Sequence, residues 1–103
     1  MLLHIKTQQE YNDLISKGLV LVDFFANWCG PCRMLTPVLE EISEEDASLN
    51  ILKVNVDELP SIASDYGVMA IPALFLIKEG KVINAAKGFL PKDQLINFIN
   101  VGK

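Results

Sequence analysis

The sequence predicts an α/β fold, a central five-stranded mixed sheet flanked by four helices in the order βαβαβαββα. Three observations carry this reading. The run Leu19 to Phe25 is nearly continuous in apolar residues, as in a strand buried on both faces of a parallel or mixed sheet. Segments with apolar residues at helical spacing alternate with shorter strand-like runs, the pattern of right-handed crossover units. Ala73 to Lys78 and Lys81 to Ala86 are separated only by Glu79-Gly80, the length of a two-residue hairpin, which adds antiparallel strands to the sheet.

Residues 2 to 6 make a short first strand. Thr7-Gln8-Gln9-Glu10 has the form of a capping box, in which the Thr7 and Glu10 side chains satisfy otherwise unpaired N–H groups at a helix start. Tyr11, Leu14 and Ile15 recur at helical spacing, and Gly18 can take the left-handed conformation that closes a helix. After the central strand, Leu35, Val38, Leu39 and Ile42 follow the spacing of a helix packed on a sheet. Pro37 lies inside that helix, removes one backbone hydrogen bond and is expected to bend it. Asn50 to Val56 reads as a strand with Leu52, Val54 and Val56 on one face. Ile51, Lys53 and Asn55 fall on the other, so Lys53 is expected to point inward. Leu59, Ile62, Ala63 and Tyr66 form a short helical stripe ending at Gly67. Pro91 suits a first helical turn, with Leu95, Phe98 and Ile99 as the apolar face of the last helix.

Composition bounds the function. The chain has 103 residues, half of them apolar and 21% charged, and no low-complexity segment or repeat, so one compact domain over residues 1–103 is expected. No apolar run approaches the ~20 residues that span a bilayer, and Met1 to Lys6 lacks the basic leader and apolar stretch of an export signal. A cytoplasmic protein with no membrane partner is the expectation. The net charge of −4 and pI near 4.8 disfavour nucleic acid as a partner. An acidic surface on a complete small fold also suggests a monomer. The two cysteines, three positions apart, suggest a reactive or metal-binding pair in a reducing compartment more than a structural staple.

Trp28-Cys29-Gly30-Pro31-Cys32 sits where the central strand should end and the second helix begin. Helix N–H groups and the positive end of the helix dipole favour an anion there, and a thiolate is one. Pro31 in the first turn would make Cys29 the exposed cysteine and place Cys32 one turn deeper. The chemistry that follows has Cys29 attack a substrate disulfide as thiolate, and Cys32 resolve the mixed disulfide by attacking the Cys29 sulfur. Asp23 interrupts the apolar central strand, where burial should raise its pKa. That makes it a candidate proton acceptor for Cys32, with Lys53 as its charge partner. A zinc site needs about four ligands, and the Cys pair with the lone His4 falls short of it. Glu40, Glu41, Glu44, Glu45 and Asp46 read as a solvated acidic face, and Met34 and Met69 as packing or rim residues. The rival activities are a disulfide-forming oxidant or isomerase, and a docking subunit whose cysteines are incidental.

With these residues in view, the chain resembles the thioredoxin family over essentially its whole length, since Trp28 to Cys32 matches the family's active-site motif residue for residue. The resemblance implies the thioredoxin fold and an enzyme that reduces disulfides in target proteins, with a lowered thiol pKa. Val22-Asp23-Phe24 looks like the family segment carrying a buried aspartate, Lys53 matches its lysine partner and Pro37 the proline of its kinked helix. Pro72 matches a cis-proline facing the disulfide, and Gly88 the glycine of the substrate groove. By the same resemblance Trp28, Gly30, Pro31, Ile71, Pro72 and Gly88 should form the flat apolar surface that receives an extended substrate segment. No cofactor is implied beyond the redox-active Cys29-Cys32 disulfide; electrons would come from NADPH through a thioredoxin reductase. The chain departs from the family where Phe25 replaces a frequent tryptophan, at Asn27, and where Ala73 replaces a usual threonine and removes a hydroxyl near the site.

Overall fold

In the computed structural model, which describes residues 1–103, the elements run β1 (Leu2–His4), α1 (Gln8–Ile15), β2 (Leu19–Phe25), α2 (Gly30–Glu45), β3 (Asn50–Asn55), α3 (Pro60–Asp65), β4 (Ala73–Lys78), β5 (Lys81–Lys87) and α4 (Lys92–Asn100). The sheet order is β1-β3-β2-β4-β5. β3 pairs in parallel with both β1 and β2, while β4 runs antiparallel to β2 and β5 to β4. β2 is therefore the central strand, and it opposes Asp23 to Lys53 on one side and to Leu74 on the other.

Side-chain alternation along the strands divides the interior into two layers. Val20, Val22 and Phe24 of β2 join Leu52 and Val54 of β3 against Tyr11 of α1 and Ile62 of α3. Leu21, Ile51, Leu74 and Leu76 face the other way and meet Leu35, Leu39 and Ile42 of α2 and Leu95 and Phe98 of α4. The period of two thus sends Asp23 and Lys53 to the α2 side, where Asp23 is fully buried and Lys53 nearly so. On the α1/α3 side, Phe24 packs edge-on to Phe75 with ring centroids 5.7 Å apart, and the Tyr11 and Tyr66 hydroxyls hydrogen-bond to each other.

Element ends adjust the sequence expectations. Thr7 caps α1 by accepting the Glu10 N–H, but Glu10 accepts the Lys6 N–H instead of that of Thr7, so the box closes one residue early. β1 stops at His4, although Ile5 still donates to the Lys53 carbonyl. α2 stays helical through Pro37. Pro91 is not in the first turn of α4: its ψ of 161° is extended, which puts it one residue ahead of the helix, with its carbonyl accepting from Leu95.

The hairpin joining β4 to β5 has positive φ at both central residues, 50° at Glu79 and 81° at Gly80, as a type I′ turn requires. Glycine adopts this freely, whereas the side chain of Glu79 strains it. Glu79→Asn should therefore stabilise the protein by about 0.5–1 kcal/mol, because asparagine tolerates the left-handed region. A urea midpoint unchanged or lowered in this variant would refute that.

Candidate active site

β2 ends at Phe25, and Ala26 to Cys29 carry the chain over the sheet edge into α2. The turn is fastened by the Cys29 N–H donating to the Ala26 carbonyl at 3.2 Å and by Arg33 Nη1 donating to the Asn27 carbonyl at 2.9 Å. Cys29 occupies the cap position of α2, and its Sγ accepts the Cys32 N–H at 3.2 Å. Cys29 and Cys32 are joined as a disulfide, with Cα atoms 5.3 Å apart. An N–H aimed at Sγ, at the positive end of a 16-residue helix, is the environment that favours a thiolate once the disulfide is reduced.

The expected contrast in exposure between the cysteines is corrected. Cys29 is 5% exposed and Cys32 1%, so both are buried in this oxidised form. The two residues pack together with Ala26 beneath Phe25, Val56 and Ile71. Ile71 precedes Pro72 across a cis peptide bond, and the Ile71 carbonyl oxygen stands 3.9 Å from Cys29 Sγ.

Trp28, by contrast, is 70% exposed, and its Nε1–H donates to Asp57 Oδ2 at 2.9 Å. It borders a depression of about 190 Å³ whose lining residues are all of apolar type, formed with Val56, Ala63, Val68, Met69, Ala70 and Ile71. Of the six expected surface residues, Trp28 and Ile71 line this depression. Pro31 is exposed, Gly30 and Gly88 are half-buried, and Pro72 is buried. Gly88, at φ 84°, ties the end of β5 to this region by donating to the Pro72 carbonyl at 2.8 Å. Met69, expected as a packing or rim residue, lines this rim, whereas its neighbours Val68 and Ala70 and the Asp57 partner of Trp28 were not singled out in the sequence. The signal for the former is an apolar stretch beginning immediately after the helix-closing Gly67.

Behind the disulfide lies a second cavity, of about 220 Å³, lined by Cys32, Thr36, Lys53, Phe25, His4 and Arg33 among others. Lys53 Nζ is 3.6 Å from Asp23 Oδ2, close enough for an ion pair and too long for a hydrogen bond. The ammonium instead donates to Thr36 Oγ1 at 2.8 Å and lies 4.5 Å from the Phe25 ring centroid, a cation–π contact. Neither Asp23 oxygen has a hydrogen-bond partner. Burial pushes the Asp23 carboxyl from its ordinary value up to about 6, and the Lys53 charge opposes that rise without cancelling it. The strand position of Asp23 and the inward turn of Lys53 are thus as expected. Thr36, Phe25 and His4 join them without having been assigned a role. The largest cavity, about 370 Å³, is bordered by Ile42, Asp46, Ile99 and Lys103, far along the fold from either cysteine. No group of three or more His, Cys, Asp or Glu side chains converges to hold a metal ion.

A disulfide at a helix N-terminus, just past the carboxyl end of the central strand of a mixed α/β sheet and beside an apolar exposed surface, defines a thiol–disulfide oxidoreductase. Residues 3–101 match the family model described as Thioredoxin. A thioredoxin from Chlamydia caviae is 50% identical over 96 residues, covering 93% of this chain and 94% of that one. One from Bacillus subtilis is 46% identical over 95 residues, with 91% of each chain covered. Among solved structures, a single-substitution variant of thioredoxin from Halobacterium salinarum superposes with a TM-score of 0.91 at 37% identity, covering 98% of this chain and 89% of that one. A thioredoxin from Nicotiana alata gives 0.91 at 31% identity, covering 99% and 92%. The chain belongs to the thioredoxin family.

Proposed function

We propose that the protein reduces disulfides in target proteins, with Cys29 as nucleophile and Cys32 as resolving thiol. The observation that carries this is the Cys29-Cys32 disulfide capping α2 directly beside the apolar surface around Trp28 and Ile71. In the reduced protein the Cys29 thiolate attacks one sulfur of a substrate disulfide; a Cys29–substrate S–S bond forms, and the first substrate sulfur leaves as thiolate and is protonated. The Cys32 thiol then loses its proton to Asp23 and attacks Cys29 Sγ. The protein disulfide forms, the second substrate sulfur leaves as thiolate, and two electrons have passed to the substrate. Lys53 holds a positive charge near the carboxylate that receives this proton.

Trp28, Gly30, Pro31, Ile71, Pro72 and Gly88 receive an extended segment of the target. The cycle is completed by a thioredoxin reductase drawing on NADPH, which returns the pair to the dithiol. This reading takes residues 1–103 as one monomeric domain acting in the cytoplasm. No helix is long and apolar enough to cross a membrane.

Insulin reduction tests the proposal. With limiting dithiothreitol, the wild type should bring on turbidity well ahead of dithiothreitol alone, and Cys29→Ser should fall back to the rate of the reagent. A wild type no faster than the reagent would shift the reading to a specialised oxidant.

A further inference from the structure

The Lys53 ammonium is buried beside two oxygen acceptors and hydrogen-bonds to only one of them. It donates to the Thr36 hydroxyl at 2.8 Å and stays 3.6 Å from Asp23, although a carboxylate is the stronger acceptor. The arrangement around Thr36 explains the choice. Its hydroxyl has one hydrogen, and that hydrogen is given to the Cys32 carbonyl, one turn back in α2, at 3.2 Å. The oxygen therefore presents lone pairs alone to Lys53. Thr36 is fixed by a rigid helix and Lys53 by a strand paired on both sides, so the hydroxyl acts as a set anchor for the ammonium.

We propose that Thr36 is a positioning residue of the dithiol centre: it holds the Lys53 ammonium off the Asp23 carboxylate, which is thereby left without a hydrogen-bond donor and open to a proton from Cys32. The inference rests on the reading of Asp23 as the proton acceptor and adds the residue that governs its availability. A carboxylate hydrogen-bonded to an ammonium is a weak base, because the bond favours its charged form. An unbonded one in the same buried place binds a proton more readily.

The groups around Asp23 are few. Lys53 on β3 supplies the charge that acts on it, Leu74 of β4 opposite is apolar, and the α2 side chains on that face of the sheet include the apolar Leu35 and Leu39. His4 of β1 stands next to Lys53 in register. Burial first, and then the charges of Lys53 and Lys6, hold the His4 imidazole below its ordinary pKa, against weaker opposite effects of Glu40 and Glu58. Lys53 is the one charged side chain that acts on Asp23, and it is the charge that Thr36 can place.

Removing the hydroxyl tests this. In Thr36→Val, which keeps the shape, the ammonium loses its anchor and closes on Asp23. The midpoint of the Asp23 carboxyl titration, followed by carbon-13 chemical shift, should fall by about one pH unit, the scale of a new charged hydrogen bond. Thr36→Ser should restore the wild-type midpoint, Thr36→Ala should repeat the fall with a smaller side chain, and Asp23→Asn identifies the signal by abolishing it. A midpoint that stays put or rises in both the Val and Ala variants overturns the inference, whatever their stability. The rate of Cys32 attack on a Cys29 mixed disulfide, measured against pH, separates the two layers. If the midpoint falls but this profile does not follow it, Thr36 keeps its placing role and Asp23 loses that of proton acceptor.

Discussion

Cys32→Ser, reduced and mixed with a disulfide-bonded target protein, should accumulate as a covalent one-to-one adduct through Cys29. The first exchange needs only the sulfur at the cap of α2, where the residue 32 N–H still points at it. The second needs a sulfur one turn further in, and serine supplies an oxygen that cannot displace the substrate thiolate. Without a resolving thiol the adduct must await chance exchange, which takes minutes to hours. In the wild type the attacking sulfur is already in the same packed cluster as its target, and the intermediate should be too brief to collect. Non-reducing electrophoresis and intact mass, with and without dithiothreitol, read the result. A wild-type-like absence of adduct in Cys32→Ser, with the adduct appearing in Cys29→Ser, would exchange the roles of the two cysteines.

The second large effect concerns stability and pH. The Asp23 carboxyl is raised by burial from 3.8 to about 6, so the folded protein holds this proton in a range where the unfolded chain releases it. The associated stabilisation is complete below the unfolded value and is lost as pH rises through about 6. A shift of this size corresponds to roughly 3 kcal/mol. Asp23→Asn cannot ionise and should lack the loss. The unfolding free energy of the variant minus that of the wild type, from urea titrations of the oxidised proteins, should rise by roughly 2.5 kcal/mol between pH 4 and pH 8. The pH-independent part of that difference absorbs the change in packing on replacing the neutral carboxyl by an amide, so the slope carries the test. A difference independent of pH would mean that Asp23 titrates alike in the folded and unfolded chains.

Much of the fold was legible because two periodicities are written plainly along the chain. Leu19 to Phe25 announces a strand covered on both faces, and a count of two from Leu21 brings Asp23, like Lys53 after Ile51, to the α2 side. The hairpin at Glu79-Gly80 follows from loop length alone. What was misjudged depends on neighbours remote in sequence. The depth of Cys29 is set by Val56 and Ile71 packing over it, and no local pattern carries that contact. Pro91 is compatible with either side of a helix start, and its extended ψ decides the matter. Thr36 carries no signal of its own in the sequence, because its significance lies in an ammonium 17 positions away. Met69, by contrast, was read as a packing or rim residue, and it stands at the rim with 96% of its surface exposed.

The pairing of β2 with β4 brings Ile71 to a cysteine 42 residues earlier in the chain. On the ribosome, at about 5–20 residues per second, roughly 2 to 8 s separate the synthesis of the two partners. Through most of that interval the growing chain carries a complete Cys-x-x-Cys tetrapeptide without the full wall that selects what approaches it. Reactivity is thus born early and discrimination late, and the molecule becomes choosy only when β4 has slotted beside β2.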